Sequence, residues 1–183
     1  MPRGSAVPAR TRTAILDAAA AVLAAHGEAA GLADVARAAG IARSTLYRYF
    51  PTRDALLSAL AESGAREVGI RLSELDDDSI PVPEALARLT RALLTVGTKY
   101  AALTVLRPKH DGIAEPELTA RVARFFQRGI DDGTLRERLD PDDLARVYGD
   151  LISGAITRLA GTSPEIETAS ALIVDLFLDG AKN

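Results

Sequence analysis

The amino-acid sequence predicts an all-α fold, and three observations predict it. Apolar residues recur at three- and four-residue spacing along almost the whole chain. No stretch alternates in the manner of a half-buried strand, and prolines and glycines punctuate the helical pattern where helices start and stop. With 183 residues, 48% of them hydrophobic, the chain can bury a core. It contains no cysteine, which excludes a disulfide scaffold, a thiol nucleophile and thiolate metal sites.

The opening MPRGSAVPA combines Pro, Gly and Ser without a period and reads as a mobile arm. A first helix follows from about Thr11 to His26, with Ile15, Ala19, Val22 and Leu23 on one face, and stops at Gly27. His26, in its last turn, reads as a cap. A short second helix spans about Leu32 to Ala39 and ends at Gly40. A third covers about Arg43 to Phe50 and is closed by Pro51. A longer helix runs from near Thr52 to about Leu75, and the run Asp76–Pro83 then breaks the pattern. The next helix, about Glu84 to Leu106, is unusually apolar. Three more are expected at about 116–132, 141–160 and 164–179, each with a proline near its first turn, where the missing amide costs little. The resulting division is an N-terminal arm and three-helix unit over residues 1–51 and a C-terminal helical domain over residues 52–183.

No segment has the roughly 18 consecutive apolar residues of a membrane helix. The alanine-rich run Ala18–Ala25 behind Arg10 and Arg12 serves better as part of the first helix than as a secretory signal. A cytoplasmic chain with no membrane partner is expected. Its formal charge of −3 is unevenly spread: residues 1–60 sum to +3 and the remainder to −6. Such asymmetry suggests that the N-terminal end meets a polyanion.

The informative segment is LADVARAAGIARSTLYRYFPTR, residues 32–53. It joins two short helices through Gly40-Ile41-Ala42, with Ala36 small enough for a close crossing and Gly40 able to supply a positive φ. Val35, Ile41, Leu46 and Phe50 form the inner contacts. Arg43, Ser44, Thr45, Tyr47, Arg48 and Tyr49 are left around the outside of the third helix. Three of the chain's eight aromatics fall within Tyr47–Phe50. A helix face of Arg, Ser, Thr and Tyr can donate to phosphates and reach base edges in a major groove. Arg53 adds a cation at the start of the next helix beside backbone amides that favour an anion, and Arg10 and Arg12, on the arm preceding the scaffold, stand ready to follow the backbone or enter a minor groove. The bland alternative is a solvated helix in a three-helix core; turn, aromatics and charge together favour the DNA-facing one.

This stretch resembles the N-terminal DNA-binding domain of TetR-family transcriptional regulators. The match rests on Thr45-Leu46-Tyr47-Arg48-Tyr49-Phe50-Pro51 and the following Thr52-Arg53-Asp54-Ala55-Leu56-Leu57, and extends over about Thr11–Leu60. The resemblance implies an N-terminal three-helix helix-turn-helix domain followed by a C-terminal helical ligand-binding and dimerisation domain. It implies base or backbone contacts for Arg43, Ser44 and Thr45 and phosphate contacts for Tyr47, Tyr49 and Arg53. The chain departs from the family pattern in having Ala30-Gly31 and Ala42 where capping hydroxyls are usual, and Tyr49 where histidine is frequent. An alanine N-cap forfeits roughly 1 kcal/mol.

Two late helices speak for assembly. Over residues 141–160 a polar stripe (Asp143, Arg146, Asp150, Ser153, Thr157) opposes a wide apolar arc, and the last helix is similarly broad in its apolar face. A helix apolar over much more than about 100° is buried on more than one side, either in the monomer or against a second copy. The resemblance implies the second: a homodimer through the last two helices, with Tyr148, Ile152, Ala155, Ile156, Leu172 and Leu176 as candidate interface residues. It also implies a small-molecule effector in the C-terminal core. Tyr100, Leu103, Phe125, Phe126 and Tyr148 are the candidate lining, in an apolar setting with a few hydroxyls that suits a lipophilic molecule.

Catalysis finds no support. The two histidines, His26 and His110, stand far apart, and Lys109-His110-Asp111 reads as a polar corner. No metal spacing, phosphate-binding glycine loop or nucleophile elbow occurs, so no catalytic residue, metal or other cofactor is expected. The expected function is a regulator, a repressor in the first instance, that binds a palindromic duplex DNA operator as a homodimer and is released by a lipophilic ligand. Two alternatives stand beside it: a DNA-binding regulator or activator without small-molecule control, and a helical enzyme or carrier.

Overall fold

The computed structural model describes residues 6–106, 115–159 and 165–181. Among the described residues there are eight α-helices and no strand. They are α1 (Ala6–His26), α2 (Leu32–Ala38), α3 (Arg43–Tyr49), α4 (Arg53–Ser73), α5 (Val82–Leu106), α6 (Glu115–Asp131), α7 (Pro141–Leu159) and α8 (Ile166–Ala181). Most bounds fall within about two residues of those read from periodicity. The start of α1 does not: the helix begins at Ala6, so Arg10 and Arg12 stand on a helix and not on an arm. Pro8 lies in the first turn, whose amides have no intrahelical acceptor, and its missing N–H therefore breaks no bond. The Lys109-His110-Asp111 corner lies outside the described residues.

The described residues group into two compact units. The first takes everything up to Gly64 and the end of α5 from Lys99; the second takes Ala65–Thr98 with α6, α7 and α8. The division thus falls inside α4, not at its start, and α5 also contributes to both. In the first unit, Ile15, Ala19 and Leu23 of α1 meet Val35 and Ala36 of α2, Leu46 of α3, Phe50 and Leu56, Leu57 and Leu60 of α4 in one buried cluster. Lys99 pairs with Asp17 at 3.1 Å, and the Tyr100 ring lies over Gly64.

An aromatic group centres the second unit. Phe126 stacks on Phe177 with centroids 5.1 Å apart, and Tyr148 meets both rings edge-on. Such pairs add to the burial of their area because ring edges and faces carry opposite partial charge. The break between α4 and α5 is held from α6: Arg128 donates to the carbonyls of Asp77 and Ile80 and to the Asp78 carboxylate, while Arg121 pairs with Asp76. The run of three aspartates is therefore partly a docking strip for arginines. Asp140 caps α7 by accepting from the amides of Asp142 and Asp143 at 2.9 and 3.0 Å, with Pro141 in the position that needs no amide.

Candidate nucleic-acid interface and effector cavity

The sequence around Gly40 builds the turn between α2 and α3 by a specific hydrogen-bond pattern. The amide of Ile41 donates to Ala36 O at 3.0 Å and that of Gly40 to Arg37 O at 3.2 Å. These bonds satisfy carbonyls that the end of α2 leaves free, and they need a left-handed residue at the corner. Gly40 supplies it with φ +66°. At the other end of α2, Gly31 has no side chain to cap with, but the Asp34 carboxylate accepts from its amide at 3.1 Å. The hydroxyl missing there is thus offset from the third helical position. Ala42 before α3 has the extended backbone of an N-cap and no side-chain bond. Thr52 caps α4, its hydroxyl accepting from the amide of Ala55 at 3.1 Å.

With α3 fixed in this way, its inner side is closed. Leu46 is fully buried and Phe50 nearly so, while Arg43, Ser44, Tyr47 and Arg48 are exposed and Thr45 and Tyr49 half-buried. Tyr47 keeps 48% of its surface accessible, unusual for a large aromatic ring that has a core beside it. The arginines are braced. Arg12 of α1 lies 5.5 Å from the Phe50 ring centroid and Arg48 lies 5.7 Å from that of Tyr49. Arg53 donates through Nη2 to the carbonyl of Glu28 at 3.1 Å, which engages one of its five N–H groups. Arg10 is exposed on the first turns of α1. The candidate DNA-facing residues all fall in the first unit, and on α3 it is Arg43, Ser44, Tyr47 and Arg48 that stand exposed.

The second unit contains a cavity of about 460 Å³. Its wall includes Leu93 and Gly97 of α5, Val122 of α6, and Arg146, Asp150 and Ile156 of α7. Of the five residues expected to line an effector site, Tyr148 does so. Phe126 is spent in the core, where it packs on Phe125 at 5.3 Å, and Phe125 borders a different pocket beside Arg121, Arg124 and Arg128. Tyr100 belongs to the first unit, and the Leu103 side chain lies outside the described residues. What the sequence reading missed is that the polar stripe of α7 faces this space: Arg146, Asp150 and Ser153 all line it. The interruption of an otherwise apolar helix by a narrow polar line was the available signal. Arg146 is tied to Asp143, whose hydrogen bond and charge hold the guanidinium above its ordinary range.

The six candidate interface residues divide between two environments. Tyr148, Ile152 and Ala155 are buried in the core of their own unit, and Ile156 is half-buried against it. The unpartnered apolar surface of the two last helices lies one step round: Val147 (53% exposed) and Leu151 (41%) on α7, Leu172 (52%) and Leu176 (63%) on α8. The wide apolar arc of α7 therefore contains two faces, one inward and one outward.

The profile of "Bacterial regulatory proteins, tetR family" matches residues 15–60, the segment that runs from within α1 to the first turns of α4. The HTH-type transcriptional repressor LfrR of Mycolicibacterium smegmatis is 42% identical over 175 residues, covering 91% of this chain and 88% of LfrR. The solved structure of LfrR in complex with proflavine superposes with a TM-score of 0.65 and 32% identity, covering 95% of each chain. The ketosteroid regulator KstR2 of Mycobacterium tuberculosis shares the fold, with a TM-score of 0.74 at 19% identity over 94% of this chain and 95% of that one. Among the described residues no helix is long and apolar enough to cross a membrane. The chain belongs to the tetR family of bacterial regulatory proteins and is a helix-turn-helix transcriptional regulator.

Proposed function

We propose that this chain binds a pseudo-palindromic operator as a homodimer and leaves it when a lipophilic small molecule enters the cavity of the second unit. The observation that carries the DNA half is the outward surface of α3, where Arg43, Ser44, Tyr47 and Arg48 stand exposed above a closed core. On this reading Arg43, Ser44 and Thr45 reach base edges. Tyr47, Arg48, Tyr49 and Arg53 hold phosphates, and Arg10 and Arg12 extend the backbone contact from α1. Arg53 has further N–H groups for a phosphate while it keeps its bond to Glu28.

The dimer is supported by Val147, Leu151, Leu172 and Leu176, which together offer α7 and α8 an apolar surface that water does not favour. A two-fold dimer meets half-sites about one helical turn (~34 Å) or a multiple apart. The effector half is supported by the cavity of about 460 Å³, a volume suited to a small organic molecule. LfrR is known in complex with proflavine, and we take the same compound as the first ligand to try. A coupling of about 1–3 kcal/mol between cavity and DNA, a 5–150-fold change in operator affinity, suffices for induction. The setting is the cytoplasm, where the duplex is.

A mobility-shift assay tests this at moderate salt, with selected palindromes competed by bulk duplex and proflavine titrated into the complex. Preference for one inverted repeat and its loss with ligand are expected. Equal affinity for all duplexes ends the regulator reading, and binding that proflavine leaves unchanged ends its role as the effector.

A further inference from the structure

We propose that Gly97 and Ile156 together set the largest ligand that the cavity accepts; this deepens the effector reading above and rests on it. The two residues stand on neighbouring helices, α5 and α7, and both form part of the cavity wall. A Cβ built on Gly97 lies 2.6 Å from Ile156 Cγ1, 3.4 Å from its Cγ2, and closer still to its Cδ1. The isoleucine occupies the place that any other residue at position 97 needs.

Isoleucine cannot give way cheaply here. A β-branched side chain in a helix holds one χ1 rotamer almost exclusively, and χ1 fixes Cγ1 and Cγ2. Turning χ2 moves only Cδ1. An alanine at position 97 therefore drives Ile156 out of its rotamer and into the cavity, or forces α7 away from α5. With glycine at 97, the isoleucine lies against the α5 backbone and leaves the adjoining space open.

The remainder of the wall says what fills that space. Leu93, Val122, Ile152 and Ile156 make most of the surface aliphatic, Thr119, Asp150 and Ser153 add polar groups, and Arg146 is paired with Asp143. The ligand body at this end is hydrocarbon or an aromatic ring, and its length is what Ile156 measures.

The test uses the full chain and a size ruler, the n-alkylbenzenes from toluene to hexylbenzene, with binding read by titration calorimetry. Ile156→Ala removes three carbons from the wall and moves the longest alkyl chain bound upward by about two methylenes. Gly97→Ala lowers the affinity of the longest ligand that the wild type binds at least tenfold, while toluene stays within threefold. In Gly97→Ala with Ile156→Ala the added methyl meets no isoleucine, so the double variant binds the long members again. This last protein keeps the test decisive if Gly97→Ala fails to fold. A chain-length limit that is the same in wild type, Ile156→Ala and the double variant overturns the proposal while the effector reading stands. Binding of no alkylbenzene to any of them overturns the cavity reading itself, and the proposal with it.

Discussion

The hydroxyl of Thr90 on α5 lies 2.9 Å from the phenol oxygen of Tyr148 on α7, with both side chains buried. Thr90 already donates its proton to the carbonyl of Leu86 at 2.7 Å, so Tyr148 is the donor between the two. The bond fixes a tyrosine that belongs at once to the aromatic core and to the cavity wall. Among the described residues no buried side-chain polar atom lacks a partner, and this pair accounts for the polar tip in the middle of the rings.

Thr90→Val removes the acceptor and leaves the Tyr148 hydroxyl desolvated and unbonded, which costs about 1–3 kcal/mol. Tyr148→Phe in the Thr90→Val background removes the stranded group and restores much of the loss. Urea midpoints of the four proteins close a double-mutant cycle, and a favourable coupling energy is expected. Additive losses would mean that the phenol finds another partner.

The same phenol gives the chain a dependence on alkaline pH. Burial pushes its ionisation above the ordinary value of 10.0, against the smaller downward pull of the Thr90 bond. A group whose folded pKa is raised contributes its full stability below the unfolded pKa and loses it as pH rises from there toward the folded value. Stability is therefore expected to fall above about pH 10, and Tyr148→Phe to lessen that fall. Denaturant midpoints between neutral pH and 11 measure the difference in slope; identical slopes would show that Tyr148 ionises without unfolding the chain.

On the proposed function, substitutions on the outer side of α3 and at the start of α4 separate reading from holding. Arg43→Ala is expected to cost about 1–3 kcal/mol on the operator and to relax preference at the base it contacts. Arg53→Ala weakens all duplexes alike and lowers the salt slope by about one. Tyr47→Phe also weakens all sequences equally, since only a hydroxyl is lost from a ring that remains in place. Competition binding with operator and scrambled duplex at several salt concentrations distinguishes the three. An Arg43→Ala protein with its selectivity intact would move base reading to Ser44 and Thr45.

The part of the chain most legible in its sequence was the part whose structure is local. Gly40, the Thr52 hydroxyl and the buried Leu46 and Phe50 are dictated by residues a few positions away, and the exposed face of α3 follows once those are fixed. The Pro, Gly and Ser of the first nine residues show no period and so read as an arm, yet α1 begins at Ala6, since a first turn accepts Pro8 without loss. Periodicity also showed that α7 is apolar over a wide arc but not how the arc is shared. Which side meets the protomer's own core depends on where α5, α6 and α8 arrive, and those contacts are long-range. Phe125 and Phe126 meet the same limit: an aromatic pair looks alike in sequence whether it lines a hole or fills one.

That division of α7 decides which substitutions test the proposed dimer. Leu172→Glu with Leu176→Glu places two charges on exposed apolar positions and is expected to give a folded monomer, read by light scattering at unchanged helical content. Ile152→Glu places its charge in the core of the protomer and is expected to unfold it instead. Dimers that persist in the Leu172 and Leu176 double variant would put the interface elsewhere.

Ala42 sits at the N-cap of α3 with φ −66° and ψ 144°, the extended backbone that a capping residue adopts, and its methyl group accepts nothing. The Thr45 amide already donates to the Ala42 carbonyl at 3.0 Å; a serine at 42 keeps the backbone and offers a hydroxyl to the amide of Ser44, one of the donors that a first turn leaves without an intrahelical acceptor. The start of α2 is held by a different bond, the Asp34 carboxylate accepting from the amide of Gly31, its own N-cap residue. Ala42→Ser is expected to stabilise by about 1 kcal/mol, a rise of about 2–4 °C in Tm for a chain of this length. Asp34→Ala is expected to lower Tm by a similar amount. Thermal unfolding followed by circular dichroism reads both. An unchanged Tm for Ala42→Ser would mean that solvent already satisfies the first turn of α3 as well as a hydroxyl does.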